Sequence, residues 1–137
     1  MTYKVLLYED NSKLRESLSM LLSEETGFSI AGSYAHCDNV ATHLAETGAE
    51  LIVMDIDMPG IGGIEGVKAA KTFNPEVMIV MHTVFDDDDR IFDSICAGAD
   101  GYLLKNADPL QLIEALRKMM NGDVAMSPFV AKKVFEF

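Results

Sequence analysis

The chain is poor in several residue types that mark special classes of protein. It has two cysteines, Cys37 and Cys96, which are too few for a disulfide framework and suit a reducing compartment. Basic residues are half as numerous as acidic ones, with 11 Lys and Arg against 22 Asp and Glu, so the formal net charge is −11. This imbalance disfavours a nucleic-acid or anionic-membrane surface, because phosphate groups are bound by clustered Lys and Arg.

A long apolar run is also missing. The N-terminal apolar run breaks at Glu9, which makes it too short for a signal peptide or a membrane span. No linker rich in proline, glycine or serine divides the 137 residues, of which 49% are apolar. These features predict one soluble domain, which we expect to be cytoplasmic.

What the chain does have is a regular alternation of short apolar runs with segments of helical period. The runs that predict strands are residues 5–8, 28–32, 51–55, 77–83 and 101–105. The first, third and fourth are almost unbroken, as in parallel strands that are buried on both faces. Strict alternation predicts an α/β fold with a doubly wound, five-stranded parallel sheet in the flavodoxin-like order 2-1-3-4-5 and helices on both faces.

Polar side chains follow the carboxyl ends of these strands, where such sheets bind their ligands. They are Glu9 and Asp10 after the first strand, Asp55 after the third, Thr83 after the fourth and Lys105 after the fifth. Carboxylates that meet at one edge repel one another, which raises a pKa or recruits a cation. A few carboxylate oxygens are typical of a Mg²⁺ site that keeps waters for a phosphate to displace.

In order and spacing, these residues resemble the receiver domain of bacterial two-component response regulators. The resemblance runs from Tyr3 to about Gly122 and rests on YED at 8–10, MDIDMPGIGGIEG at 54–66, Thr83, and GYLLK at 101–105. It implies a phosphoprotein that takes a phosphoryl group from a sensor histidine kinase onto Asp55. Such a chain catalyses its own phosphoryl transfer and autodephosphorylation and is not a turnover enzyme.

The resemblance also implies a metal site. Asp10 and Asp55 would bind Mg²⁺ or Mn²⁺ directly, and Glu9 would help through a water molecule. The backbone carbonyl of Asp57 would complete the protein ligands. Taken alone, the acidic pair at 9–10 could merely cap the first helix; its companions Asp55 and Lys105 favour the metal site.

Around the phosphoryl group, the resemblance assigns one contact each to Thr83 and Lys105. Thr83 would bond a phosphoryl oxygen, and Lys105 would pair with the group. Tyr102 matches the aromatic switch position, where the ring turns inward when Thr83 is drawn to the phosphate; packing alone is the alternative role for this ring. The acidic run 86–89 looks like a metal cluster, but carboxylates at a helix start usually interact with the helix dipole and solvent.

Two departures from the usual family pattern stand out. Val84 follows the hydroxyl of strand 4, where the family commonly has Ala or Gly, and Phe85 comes next. We expect these two side chains and the carboxylate of Asp57 to crowd the opening to the phosphoryl site. Asn106 replaces the proline that commonly follows the lysine of strand 5.

Asn106, with LLKNADPLQLIEAL and MSPFVAKKV, resembles receivers that are attached to LuxR-type helix-turn-helix output domains. This implies control of transcription, a homodimer on phosphorylation as a possible partner, and DNA binding only through an absent output domain. The division we expect is a receiver over 1–122 and a C-terminal helical extension, or the start of a linker, over 123–137. The chain would then be an excised N-terminal part.

Two functions from other classes compete with this interpretation. The Asp-x-Asp of LIVMDID also occurs in aspartate-nucleophile phosphatases of the haloacid dehalogenase kind, but here it follows an acidic pair and runs straight into Pro59-Gly60. A flavin-binding electron carrier on the same fold needs a phosphate loop rich in Ser, Thr and Gly after strand 1. YEDNSK offers negative charge there instead.

Overall fold

The computed structural model describes residues 2–106 and 108–136, in which strands and helices alternate along the chain. The strands are β1 (Tyr3–Tyr8), β2 (Phe28–Tyr34), β3 (Leu51–Met54), β4 (Met78–Thr83), β5 (Gly101–Leu104) and β6 (Ala125–Met126). The helices are α1 (Ser12–Glu24), α2 (Val40–Thr47), α3 (Gly62–Phe73), α4 (Asp88–Ala97), α5 (Pro109–Met120) and α6 (Pro128–Glu136).

All the paired strands are parallel, in the order β2-β1-β3-β4-β5-β6. The predicted fold class and the order of the first five strands are therefore confirmed. The short sixth strand was not predicted, because a pair of residues is too short to show a strand period. None of the helices among residues 2–106 and 108–136 has the length and apolar character needed to cross a membrane.

Each face of the sheet has its own apolar core, because side chains alternate between the faces along a strand. Val5, Leu7 and Val53 point to the face covered by α1 and α5. Leu6 and Ile52 point to the opposite face, where residues of α2, α3, α4 and α6 pack. The near-continuous apolar runs of the sequence thus reflect strands buried on two sides.

Side-chain caps fix the starts of three helices. Asn11 Oδ1 accepts a hydrogen bond from the Leu14 N–H at 3.0 Å, and Asp108 Oδ1 accepts one from the Leu110 N–H at 2.9 Å. Asp87, in the acidic run 86–89, caps α4 by accepting from the Arg90 N–H at 3.2 Å. Each cap satisfies a backbone donor that the helix itself cannot pair.

The C-terminal residues join the sheet and the core of the first five strands. β6 lies beside β5, with Gly101 opposite Ala125, and Val130 of α6 is fully buried. The predicted boundary at residue 122 stays a prediction. Residues 1, 107 and 137, which fall within the two predicted units, lie outside the described part of the chain.

Candidate functional site

Side chains alternate between the two faces of the sheet along each strand, and this alternation brings three charged side chains to one face. Leu7, Val53 and Leu103 all pack in the core under α1 and α5. The residues two positions further on, Glu9, Asp55 and Lys105, therefore continue on the same face beyond the strand ends. The distances between these three side chains show that they lie close together.

Lys105 lies between two buried carboxylates. Its Nζ is 2.7 Å from Asp55 Oδ2 and 2.6 Å from Glu9 Oε1, and both carboxylates are almost fully buried. Burial alone would lower the pKa of Lys105, but the hydrogen bonds to Asp55 and Glu9 outweigh it and raise that pKa. The ammonium therefore stays charged and partly compensates the two buried carboxylates.

Asp10 completes a group that we call the acidic cluster: Glu9, Asp10 and Asp55. One carboxylate oxygen from each lies within 4.8 Å of the others, and Asp10 is exposed while its companions are buried. Within the described residues, no other group of three acidic, His or Cys side chains could hold a metal ion. The exposed position of Asp10 leaves the cluster open to solvent on that side.

Burial raises the pKa of Glu9. The hydrogen bonds from Lys105 and from the Asn11 N–H act against this rise, and the charge of Asp55 adds to it. The backbone of the same residue is held as well, because its carbonyl accepts from Arg15 Nη1 at 2.7 Å. Arg15 could not be singled out from the sequence, since this contact is made to the main chain.

Both the backbone and the carboxylate of Asp55 are held by neighbouring main-chain groups. Its N–H donates to the Tyr8 carbonyl at 3.1 Å, and its Oδ1 accepts from the Ile56 N–H at 2.8 Å. A Cβ atom at Gly63, near the start of α3, would overlap the Asp55 carbonyl oxygen. Gly63 was missed in the sequence as a functional residue, although it lies within the MDIDMPGIGGIEG run.

Thr83 is fully buried at the end of β4 and is tied to both neighbouring segments. Its carbonyl accepts from the Lys105 N–H at 2.8 Å, which joins the ends of β4 and β5. Its Oγ1 accepts from the Phe85 N–H at 3.4 Å. Val84 between them is 67% exposed, and the Arg90 guanidinium lies 4.3 Å from the centroid of the half-buried Phe85 ring.

The Tyr102 ring points inward and is fully buried. Its hydroxyl donates to the Phe85 carbonyl at 2.6 Å. Burial raises the pKa of Tyr102, and the charge of Asp87 adds to this rise, so the hydroxyl remains a donor at neutral pH. The ring therefore both packs in the core and holds the loop between β4 and α4.

Asp57 is exposed two residues after Asp55, and its role as a backbone ligand stays a prediction.

Two histidines lie outside the acidic cluster. His82 is largely buried, and burial together with the charge of Lys105 lowers its pKa to about 4. His43 Nδ1 pairs with the Tyr8 hydroxyl at 2.8 Å.

Comparison with known proteins gives a family and several relatives. Residues 5–117 match the response regulator receiver domain. The uncharacterized transcriptional regulatory protein YxjL of Bacillus subtilis is 31% identical over 131 residues, which are 96% of this chain and 60% of that protein. Response regulator GacA of Pseudomonas aeruginosa is 30% identical, with coverage of 96% and 61%. The chain thus spans about three-fifths of the length of these relatives.

Solved structures give the same picture. A LuxR-family two-component response regulator from Aurantimonas sp. matches with a TM-score of 0.91 and 28% identity, over 99% of this chain and 97% of that one. The isolated receiver domain of RcsB from Salmonella enterica matches with a TM-score of 0.87 over 97% and 99% of the two chains; at 19% identity it shows the fold alone. The chain belongs to the response regulator receiver domain family: it is a phosphoacceptor domain with an acidic pocket, homologous to transcriptional response regulators, and not a turnover enzyme.

Proposed function

We propose that this receiver accepts a phosphoryl group on Asp55 from a sensor histidine kinase, with Mg²⁺ bound at the acidic cluster. The observation that carries the proposal is the position of Asp55. It is a buried carboxylate that pairs with Lys105 at 2.7 Å and lies within 4.8 Å of the oxygens of Glu9 and Asp10. A nucleophile, a cation and a set of metal ligands thus meet at one point.

The side chains present fit a divalent cation. All the donors of the acidic cluster are carboxylate oxygens, which are the ligands that Mg²⁺ prefers in proteins. Three carboxylates face the single ammonium of Lys105, so a divalent ion would balance the remaining charge. Asp10 and Asp55 would hold it directly, Glu9 through a water, and Asp57 through its backbone carbonyl.

In the transfer step, an Asp55 oxygen attacks the phosphorus of the kinase's phosphohistidine. An O–P bond forms while the P–N bond breaks, and the imidazole leaves with the electron pair of that bond. A bound Mg²⁺ would neutralise charge on the phosphoryl oxygens, as metal ions do in phosphoryl transfer. The product is an acyl phosphate on Asp55, and water hydrolyses it in autodephosphorylation.

Two other side chains would then rearrange around the new group. The Lys105 ammonium is already bonded to Asp55 Oδ2, so a small movement would let it pair with a phosphoryl oxygen. The Thr83 hydroxyl would donate to another phosphoryl oxygen. Because the same hydroxyl accepts from the Phe85 N–H, this donation would shift the loop between β4 and α4.

The output we propose is control of transcription in the cytoplasm through an output domain, as the homology to transcriptional regulators suggests. A net charge of −11 offers no driving force for DNA binding by this chain itself. A structure of RcsB contains two dimers bound to two parallel DNAs. We propose that phosphorylation likewise favours a homodimer here.

Phosphorylation of Asp55 is tested with acetyl phosphate as donor and intact-protein mass spectrometry as readout. Wild-type protein should gain one phosphoryl group in Mg²⁺ and none in EDTA. The Asp55→Asn variant should gain none, because the amide is no longer a nucleophile. Asp93→Asn, a carboxylate of α4 that is exposed, is the matched control and should react like wild type. Labelling that persists in Asp55→Asn or in EDTA would contradict the proposal.

A further inference from the structure

The C-terminal segment, residues 125–136, covers the outer edge of β5 and packs on α4. Its strand β6 pairs with β5, and its helix α6 contacts α4. Lys133 Nζ lies 3.3 Å from Asp88 Oδ1, at the first residue of α4. Val130 is fully buried in the same apolar core as Ile91 of α4. The C-terminal segment therefore packs on α4, the helix that follows the loop between β4 and α4.

Tyr102 is hydrogen-bonded to the loop between β4 and α4 through its hydroxyl and to the C-terminal segment through its backbone. The hydroxyl donates to the Phe85 carbonyl at 2.6 Å, whereas the Tyr102 carbonyl accepts from the Ser127 N–H at 3.1 Å. Ser127 also accepts, through Oγ, a hydrogen bond from the Leu104 N–H at 3.1 Å. Tyr102 thus joins the loop between β4 and α4 to the C-terminal segment.

The close fit between β5 and β6 depends on a glycine. A Cβ atom at Gly101 would lie 2.5 Å from the Ala125 carbonyl oxygen and 3.2 Å from the Ala125 Cβ. Gly101 does not have a positive φ, so its backbone conformation does not require glycine. Close approach of the C-terminal segment does require it, which indicates that docking is part of the fold.

The docked segment also restricts the Tyr102 ring. The ring has no exposed surface, and it shares its core with Val130 and, at the edge of that core, with Met126 and Val134. Since β6 occupies the free edge of β5, an outward turn of the ring would have to displace residues of the C-terminal segment. Interiors are packed too densely to admit an aromatic ring without such a displacement.

We infer that docking of the C-terminal segment and phosphorylation of Asp55 stabilise each other through the inward position of Tyr102. The inference rests on the proposed function, in which Thr83 donates to the phosphoryl group and shifts the loop between β4 and α4. The Tyr102 hydroxyl is bonded to the Phe85 carbonyl, so a loop that is held by the phosphoryl group would also hold the ring inward. The inward ring in turn favours the docked segment. Because coupling free energies are reciprocal, undocking α6 must weaken phosphoryl binding by the same factor.

The experiment follows hydrogen–deuterium exchange of α6 by mass spectrometry, with beryllofluoride and Mg²⁺ as the phosphoryl analogue. In wild type, the analogue should slow exchange in α6 by roughly 5-fold or more, the lower end of common coupling strengths. Val130→Ala and Lys133→Gln should speed exchange in α6 and weaken binding of the analogue. Lys133→Gln changes a surface ion pair, so it folds even if Val130→Ala does not.

Lys132→Gln is the matched control, because Lys132 lies on the same helix, carries the same charge and is exposed. It should leave both exchange and analogue binding as in wild type. Unchanged α6 exchange in a protein that does bind the analogue would overturn the inference while the proposed function stands. Equal loss of binding in Lys132→Gln and Lys133→Gln would also overturn it. If wild type takes up neither analogue nor phosphoryl group, the proposed function fails too.

Discussion

At the scale of single residues, we predict that Val84 narrows the access to the phosphoryl site. It is 67% exposed and follows the fully buried Thr83. A branched side chain there should hinder a small phosphodonor on its way in and a hydrolytic water on its way to phosphorus. In-line attack tolerates little misplacement, and lost geometry can cost on the order of 10²-fold in rate.

We expect Val84→Ala to speed both phosphorylation by acetyl phosphate and autodephosphorylation, by several-fold and within that limit of on the order of 10²-fold. The affinity for Mg²⁺ should change little, because Val84 provides no side-chain ligand. Stopped-flow measurement of the two rates decides the question. Val124→Ala is a matched control, because Val124 is the same residue type and is 68% exposed. It lies between the C-terminal end of α5 and β6 rather than beside Thr83. Equal rates in wild type and Val84→Ala would show that Val84 is not a gate.

The charged side chains of the site could be predicted from the sequence, whereas the residues that hold them could not. Glu9, Asp55 and Lys105 stand out because a charge directly after a buried strand needs a partner. Arg15 and Gly63 act on main-chain atoms, namely the carbonyls of Glu9 and Asp55. Such contacts depend on the angle at which a helix begins, and no side-chain pattern records that angle.

At the scale of elements, α3 is seated directly on the backbone of Asp55. The Gly63 N–H donates to the Ile56 carbonyl at 2.8 Å, and a Cβ at Gly63 would overlap the Asp55 carbonyl oxygen. Because backbone atoms cannot move aside as a side chain can, Gly63→Ala must shift either α3 or the end of β3. Overpacking of this kind typically costs about 1–3 kcal/mol of stability.

We therefore expect Gly63→Ala to lose about 1–3 kcal/mol in urea unfolding and also to slow phosphorylation of Asp55. Gly66→Ala is the matched control in the same helix, because its Cβ would meet the Cys37 Sγ at 2.6 Å rather than the backbone of Asp55. It should lose stability while its rate of phosphorylation stays near that of wild type. If both folded variants are phosphorylated at the wild-type rate, the seating of α3 does not position the nucleophile.

The elements themselves were predictable in proportion to their length and pattern. The buried runs and the caps at Asn11 and Asp108 indicate β1, β3, β4, α1 and α5 from the sequence alone. β6 has two residues and owes its position to the gap that Gly101 leaves beside β5. The packing of α6 on α4 follows from that strand, so it could not be read from the amphipathic pattern of residues 128–136.

At the scale of the whole molecule, a large negative charge and the two buried carboxylates of the acidic cluster act together against folding. The net charge is −11, and burial raises the pKa of Glu9 from its ordinary value of 4.5. A raised pKa means that the stability contributed by Glu9 is complete below the ordinary value and is lost as the pH rises through the raised one. The metal-free protein should therefore gain most from a bound cation at neutral and higher pH.

We expect Mg²⁺ at ten times its dissociation constant to stabilise the unphosphorylated protein by about 1.4 kcal/mol. For a domain of this size, that is roughly 4–6 °C in Tm. The increment should be larger at about pH 7.5 than at about pH 5, since protonation of Glu9 competes with the metal. Thermal unfolding with and without Mg²⁺ at the two pH values measures it. Asp10→Asn removes an exposed carboxylate of the cluster and should lose this increment, because the ion then lacks a ligand. General screening of the large negative charge by Mg²⁺ would be almost the same in this variant. An equal increment in Asp10→Asn would show that Mg²⁺ acts through the overall charge and not through this site.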